Sequence, residues 1–397
     1  MPRLLFVHDD PRVTERVQRF LSQREPDWEF RSETDVPAAW GAAGEWRPDA
    51  VVALAKPPGL DGVELLARLQ HGQPDTVRVV LGVDRDAEQS LRSLRIAHRA
   101  VNEPIDPSVL LETLRRMLLL TDLVTRPGVR EMLGRIGALP AVPSVYTALS
   151  RRLEDPNASV FELSEMVAAD TTLATQVLRI ANSAFFGRHQ PVTKIEAAAA
   201  RLGTRLLRSL VLTAEVYGRF PVSPFMVERL EALQTHASLV ARIASTLEPA
   251  APWKDDAFTA GLLHDIGKLL LAAHVPDVHA SIVREAERTH RPEHEVELQR
   301  MGVHHGTLGA CLLGMWGLPS VILEAAHAHH DPLEKLPSSL TPVLAVSIAD
   351  RLAHHAVRPE GVEEDLHPWP IAVIEDPRWP AWRDMASHFG QSQAEAA

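Results

Sequence analysis

The sequence predicts an α/β doubly wound domain followed by an all-α domain. Three observations carry this. Short continuous apolar runs alternate with helix-spaced apolar patterns up to about residue 120. Strand-like patterning is almost absent after residue 125. Between the two stretches, Arg126-Pro127-Gly128 supplies a turn signal. A run of about four to eight apolar residues suits a strand buried on both faces, and its alternation with helices implies a parallel sheet.

Composition bounds the function classes. With 397 residues the chain can hold two or three domains, each with its own core. The single cysteine, Cys311, excludes an intramolecular disulfide and a cysteine-based zinc cluster. A net charge of −11 argues against wholesale binding to a phosphate backbone, so no nucleic-acid partner is expected. No apolar run reaches the roughly 18 residues of a membrane span, and residues 1–7 are too short for the apolar core of a signal peptide. The expectation is a cytoplasmic protein with no membrane insertion. Of nineteen histidines, ten fall between His264 and His330, which raises the question of metal.

In chain order, Arg3–Val7 reads as a buried strand ending in His8, Asp9 and Asp10. Asp10 and Pro11 form an N-cap and first-turn pair for a helix carrying Val13, Val17, Phe20 and Leu21. Further strands are predicted at Ala50–Leu54, Val77–Leu81 and Ala100–Val101, with helices at Val63–Gln70 and Pro107–Leu120. In such a sheet the site lies at the carboxyl ends of the strands.

This layout resembles the flavodoxin-like receiver domain of two-component response regulators. The residues that match are Asp9 and Asp10 after the first strand, and Pro58–Gly62 (PGLDG). The resemblance implies that the acidic pair would hold magnesium beside a phosphoacceptor aspartate. The register set by PGLDG places that acceptor at Leu54, which has no nucleophilic oxygen. The family's switch hydroxyl falls at Gly82 and its lysine at Glu103. The expectation is a degenerate receiver, with Asp9 and Asp10 acting as strand-end and capping residues.

Beyond the turn, helices are predicted from Val145 to Leu153, over Val160–Ala169 behind a Ser159 cap, over Asp170–Ala184, over Ile195–Leu202 with Gly203 as a stop, and over Leu206–Tyr217. The stretch Ala260–Leu271 (AGLLHDIGKLLL) sets His264 and Asp265 inside an otherwise apolar helical run. Such groups are excluded from a buried helix unless each finds a partner. Imidazole beside carboxylate suits a divalent metal. The alternative is an Asp that orients His264 by hydrogen bonding.

These segments resemble the HDOD domain, a branch of the HD superfamily found in bacterial signalling proteins. The resemblance is carried by Leu139–Pro143 (LPAVP), Asp170, Leu173, Ala181–Phe186 (ANSAFF), Ala200–Gly203 (ARLG), His236, Gly261–Gly267 (GLLHDIG), Glu297, His305–Gly309 (HGTLG), Trp316–Pro319 (WGLP) and His329–His330. It implies domain limits of 1–122 for the degenerate receiver, 123–135 for a linker, 136–358 for the HDOD domain and 359–397 for a Trp/Pro-rich tail.

Seven residues are candidates to converge: His236, His264, Asp265, His305, His329, His330 and Asp350. Inward-facing groups on several helices are how bundle metal sites are built. Catalytic relatives, the HD-GYP phosphodiesterases and HD phosphohydrolases, use residues of these types in this order, with Asp265 and Lys268 as the catalytic positions if this chain is an enzyme. Fe, Mn or Zn would be the cofactor. Against turnover, Asp331–Pro337 (DPLEKLP) replaces the GYP signature. A polar core network of the same residues is the structural alternative. His304, His327, His274, His279, His354 and His355 read as surface or boundary residues, and Arg201, Arg205 and Arg208 as a solvated basic stripe. Four prolines among Trp369, Trp379 and Trp382 argue against a long helix in the tail, with disorder expected from Gln391. The function expected is non-catalytic signal transduction through other signalling proteins, with a homodimer as one arrangement. The rival is a metal-dependent phosphohydrolase.

Overall fold

The computed structural model describes residues 1–56, 60–82, 96–137, 140–153, 155, 158–181, 192–219, 224–333, 339–356 and 369–394. Asn182–Ser183, Phe185–Phe186 and part of the PGLDG loop lie outside the described residues. The chain divides into two compact units, Met1–Thr125 and Arg126–Ala397.

In the first unit five strands pair in parallel: β1 (Arg3–Val7), β2 (Glu29–Glu33), β3 (Ala50–Lys56), β4 (Val77–Leu81) and β5 (Arg99–Val101), in the order β2-β1-β3-β4-β5. This is the doubly wound order whose switch point lies between β1 and β3. Central β1, β3 and β4 are the continuous apolar runs, since helices cover both faces there. Leu54 of β3 sits beside Leu81 of β4 in the register. Strand β2 (EFRSE) escapes the apolar-run reading because it lies at the sheet edge, with Glu29, Arg31 and Ser32 exposed. Aspartates begin three of the helices: Asp10, Asp35 and Asp61 accept from the backbone N–H groups of Arg12, Ala38 and Glu64. The last helix of the unit is continuous over Pro107–Thr125.

Among its described residues the second unit has helices and no strand. It opens at Pro127, the first residue of a helix to Ile136 that buries Val129, Met132 and Ile136. Ser159 caps Val160–Ala168 as its sequence predicts. At the centre lies Lys254–Leu263, apolar on most faces because the helices Pro224–Thr246, Ser320–Ala328 and Pro342–Ala356 surround it.

Two expectations are corrected. AGLLHDIGKLLL is not one helix: the backbone breaks at His264–Asp265, and Ile266–His274 begins anew. Asp265 has φ −96° and ψ 9°, in the bridge region frequented by active-site residues. The C-terminal stretch contains a long helix after all, Trp379–Ala394, in which Pro380 stands in the first turn where its missing N–H costs nothing. Gln391 lies within that helix. It packs on Pro342–Ala356 and Pro224–Thr246, buries Trp382, and is anchored by Trp382 Nε1 donating to the Leu247 carbonyl at 3.3 Å.

One glycine allows the new helix to reach its partner. A Cβ at Gly267 would collide with the carbonyl oxygen of His305, and would lie 3.0 Å from the backbone nitrogen of Gly309 one turn on. Two backbones therefore touch where the Asp265 and His305 side chains must meet. Gly267→Ala should lower stability by about 1–3 kcal/mol through overpacking. Gly134→Ala, at an exposed helical position with open space around the new methyl, should instead raise it by about 0.5–1 kcal/mol. Denaturant unfolding of the two variants should move in opposite directions; equal shifts would remove the close-approach argument.

Candidate metal centre

Every one of the seven histidine and aspartate candidates enters one connected cluster, delivered from five places in the chain. His236 comes from Pro224–Thr246, and Asp350 from Pro342–Ala356; His236 Nε2 lies 2.9 Å from Asp350 Oδ1. His264 and Asp265 occupy the helix break, His305 opens the helix His305–Met315, and His329 and His330 follow the helix Ser320–Ala328. Asp265 Oδ1 lies 3.0 Å from His305 Nε2 and 3.7 Å from His329 Nε2. His264 Nε2 lies 3.5 Å from Asp265 Oδ2 and 3.6 Å from Asp350 Oδ1, and His330 Nε2 lies 3.0 Å from His305 Nε2.

The tautomers follow from what the other ring nitrogens do. His264 Nδ1–H donates to the Gly261 carbonyl and His329 Nδ1–H to that of Ala326, each at 2.8 Å. His305 Nδ1–H donates to Glu297 Oε2 at 2.7 Å, which also accepts the His305 backbone N–H. Three imidazoles thus have Nδ1 tied outward and Nε2 turned inward, the orientation second partners impose on metal-binding histidines. Among the described residues, His264 Nε2, His329 Nε2 and Asp265 Oδ1 are buried without any hydrogen-bond partner. Although His305 Nε2 is 3.0 Å from Asp265 Oδ1, the contact does not meet hydrogen-bond geometry. Inward lone pairs converging on carboxylate oxygens repel one another unless a proton or a metal ion lies among them. A divalent ion with N/O ligands fits this donor set.

The same contacts shift the charges of the cluster. Burial pushes the Asp265 carboxyl up, but Lys268, His264 and His305 outweigh it and hold it well below the usual carboxylate range. Lys268 Nζ lies 2.8 Å from Asp265 Oδ2, and that partner more than offsets burial, raising the ammonium above its usual range. Burial works against charge on His264, yet Asp265 and Asp350 leave its pKa raised. Burial and His264 instead keep His329 neutral, as burial and His329 do for His330. For His305, burial is overcome by Glu297 and Asp265, and the pKa is raised to about 9.

Residues outside the seven candidates are informative. Glu297 is fully buried and orients His305. His304 and His279, expected at the surface, are buried. His354 faces Asp350 at 3.5 Å, and His355 accepts from Trp369 Nε1 at 2.8 Å. One turn separates Asp350 from His354, so helical spacing was the available signal. Cys311 is buried, which pushes its thiol up to about 12.

The HDOD domain family matches residues 139–332. That segment is an HDOD domain. The chain is similar to an uncharacterized protein of Treponema pallidum, 25% identical over 53% of this chain and 41% of that protein, so it spans about two fifths of that relative's length. A solved HDOD domain protein from Geobacter sulfurreducens, 24% identical, has the same fold over 69% of this chain and 94% of its own, with a TM-score of 0.52. The signal receiver domain of an HD domain-containing protein from Pseudomonas fluorescens Pf-5 is 26% identical over 32% of this chain and 93% of that one, with a TM-score of 0.30. The strand order described above makes the first unit receiver-like in its own right.

At the carboxyl end of that first sheet, Leu54 is buried. Gly82 (φ +68°) adjoins both Leu54 and Glu103: a Cβ there would lie 3.0 Å from Leu54 Cδ1 and 3.1 Å from Glu103 Oε2. The backbone N–H of Asp10 donates to His8 Nδ1 at 3.0 Å, and His8 Nε2 lies 3.4 Å from Glu103. The Asp10 carboxylate is engaged as a helix cap, while the Asp9 side chain is 41% exposed. Among the described residues no helix is long and apolar enough to cross a membrane.

The raised His305 pKa predicts a pH effect in metal-free protein. The folded value lies above the unfolded one, so the stability it contributes is complete below about pH 6.5 and is lost as pH rises through about 9. Denaturant unfolding of the chelator-treated chain should show this loss between pH 6.5 and 9. Glu297→Ala should cost about 3–5 kcal/mol at neutral pH and flatten the dependence. A variant that keeps the wild-type slope would show that Glu297 does not hold the His305 charge.

Proposed function

We propose that this chain is a signal-transduction protein whose receiver-like module works without phosphorylation and whose HDOD domain is a metal-holding, non-hydrolytic module that acts on other signalling proteins. The observation carrying the metal reading is the set of inward-turned, unpartnered atoms on His264, His329 and Asp265. A self-sufficient hydrogen-bond network would pair them, since a buried polar atom left unmade costs about 1–3 kcal/mol. His236, His264, Asp265 and Asp350 would hold an ion on one side, and Asp265, His305, His329 and His330 on the other. Bound there, an Fe, Mn or Zn ion would supply Lewis acidity and a strong cross-link between helices.

For the first unit, the reading rests on Leu54, whose side chain fills the carboxyl end of β3 with hydrocarbon. Leucine offers no oxygen for phosphoryl transfer. The Asp10 carboxylate stabilises its own helix instead. Docking to a partner protein or to a second copy remains the use such a module can serve.

A second reading, a metal-dependent phosphohydrolase, is favoured by the two overlapping ligand groups that share Asp265, with Lys268 beside it. Paired ions of this kind suit phosphate-ester hydrolysis.

Elemental analysis of the purified full chain decides first. About one or two transition-metal ions per chain are expected, reduced or lost in Asp265→Ala. Folded wild-type protein free of metal would overturn the metal reading. Metal-loaded protein that hydrolyses bis(p-nitrophenyl) phosphate would replace the non-hydrolytic reading with the second one. Acetyl phosphate with magnesium should leave the intact mass unchanged.

A further inference from the structure

The helix Pro342–Ala356 and the C-terminal helix Trp379–Ala394 touch near their C-terminal ends. A Cβ at Gly390 would lie 2.7 Å from the Ala356 carbonyl oxygen. Beside that contact is an opening of about 350 Å³. Its lining includes His355 from the first helix, Trp379, Arg383 and Ser387 from the second, and Trp369 from the segment before it. Small-molecule sites begin at about 300 Å³, so there is room for a ring system and one charged group. All of these residues lie outside 139–332, the stretch that the HDOD family matches.

The lining divides by chemistry. Trp369 Nε1 donates to His355 Nε2 at 2.8 Å, and the two rings stack with centroids 5.4 Å apart. Trp379 adjoins Trp369 at a centroid distance of 4.4 Å. Together they form an aromatic wall in which the indole N–H of Trp369 is already engaged, leaving its ring for stacking. Trp382 is buried and anchors the helix, so packing accounts for it, whereas Trp369 and Trp379 stay partly exposed. Trp379, Arg383 and Ser387 recur at four-residue spacing and share one helix face. The carboxylate beside Arg383 is that of Asp384 at 3.8 Å, beyond hydrogen-bonding range, and the Arg383 side chain is 64% exposed. A guanidinium next to stacked rings repels a cationic guest and matches an anionic one.

We propose that this opening binds a small planar aromatic anion, its ring against Trp369 and Trp379 and its carboxylate or phosphate on Arg383 and Ser387. The rings select for planarity and the guanidinium for charge. Aromatic carboxylates and nucleotides share that chemistry. The site is independent of the metal reading, and it gives the signalling protein a class of small-molecule ligand.

The test is isothermal titration calorimetry of the full chain with two anions, indole-3-acetate and adenosine monophosphate. Their neutral counterparts, indole-3-acetamide and adenosine, serve as references. At least one anion is expected to bind at a single site per chain, and its neutral counterpart roughly tenfold more weakly. Indole-3-acetate alone would assign the site to aromatic carboxylates, and adenosine monophosphate alone to nucleotides. Arg383→Gln should bring the anion down to the affinity of its neutral counterpart. Arg205→Gln, which removes an exposed arginine elsewhere, should leave it unchanged. Trp379→Leu, which keeps hydrocarbon at the wall, should weaken the anion and its neutral counterpart alike, by roughly tenfold. Binding by neither anion at millimolar concentration would overturn the proposal. So would an anion with the same affinity for wild type, Arg383→Gln and Trp379→Leu, since it would then sit elsewhere.

Discussion

Asp265 is a carboxylate buried to 1% exposure at a helix break, where an isolated charge would be penalised by several kcal/mol. It persists because Lys268 meets one oxygen and imidazoles from two further helices surround the other. Much of the helical unit can be read as the means of supplying that company. The touching backbones at Gly267 and Gly309 bring His305 within reach, and Glu297 fixes the direction His305 faces. Lys254–Leu263 is wrapped on most sides, so the end that delivers His264 has little freedom to move. A buried charge is weak evidence of stability, and one with a strongly perturbed pKa beside specific charged partners marks a candidate functional position.

The two units spend their polar residues in opposite ways. In the receiver-like sheet, the switch-point end is closed by Leu54 and by the His8–Glu103 contact, and its carboxylates turn to capping or to solvent. In the helical unit, polar groups are drawn inward from distant parts of the chain, His236 and Asp350 standing 114 positions apart. Chemistry that depends on convergent charge therefore has its place in the second unit.

What could be read from the sequence follows from the range of the forces involved. Strands β1 and β4 coincide with their predicted runs because burial on both faces writes hydrophobicity at most positions, Arg3 and Arg78 excepted. Caps at Asp10 and Ser159 are local and equally legible. The break at His264–Asp265 is not, since no glycine or proline marks it and both flanking segments are apolar. Pro380 misleads in the other direction, because a proline in a first turn is compatible with the helix it was expected to prevent. Residue types and chain order pointed to seven members of the cluster. Assigning Glu297 and His354 to it required knowing which helix faces meet, and that is set by tertiary packing.

Strand β2 carries a different consequence. Glu29, Arg31 and Glu33 place alternating charge along an edge where backbone donors and acceptors would otherwise invite a foreign strand. A more hydrophobic segment would have been easier to recognise as a strand, and would also have offered neighbouring molecules a template for cross-β association. The polarity that hides β2 from pattern reading is thus a safeguard against aggregation, built into the residues that border the sheet.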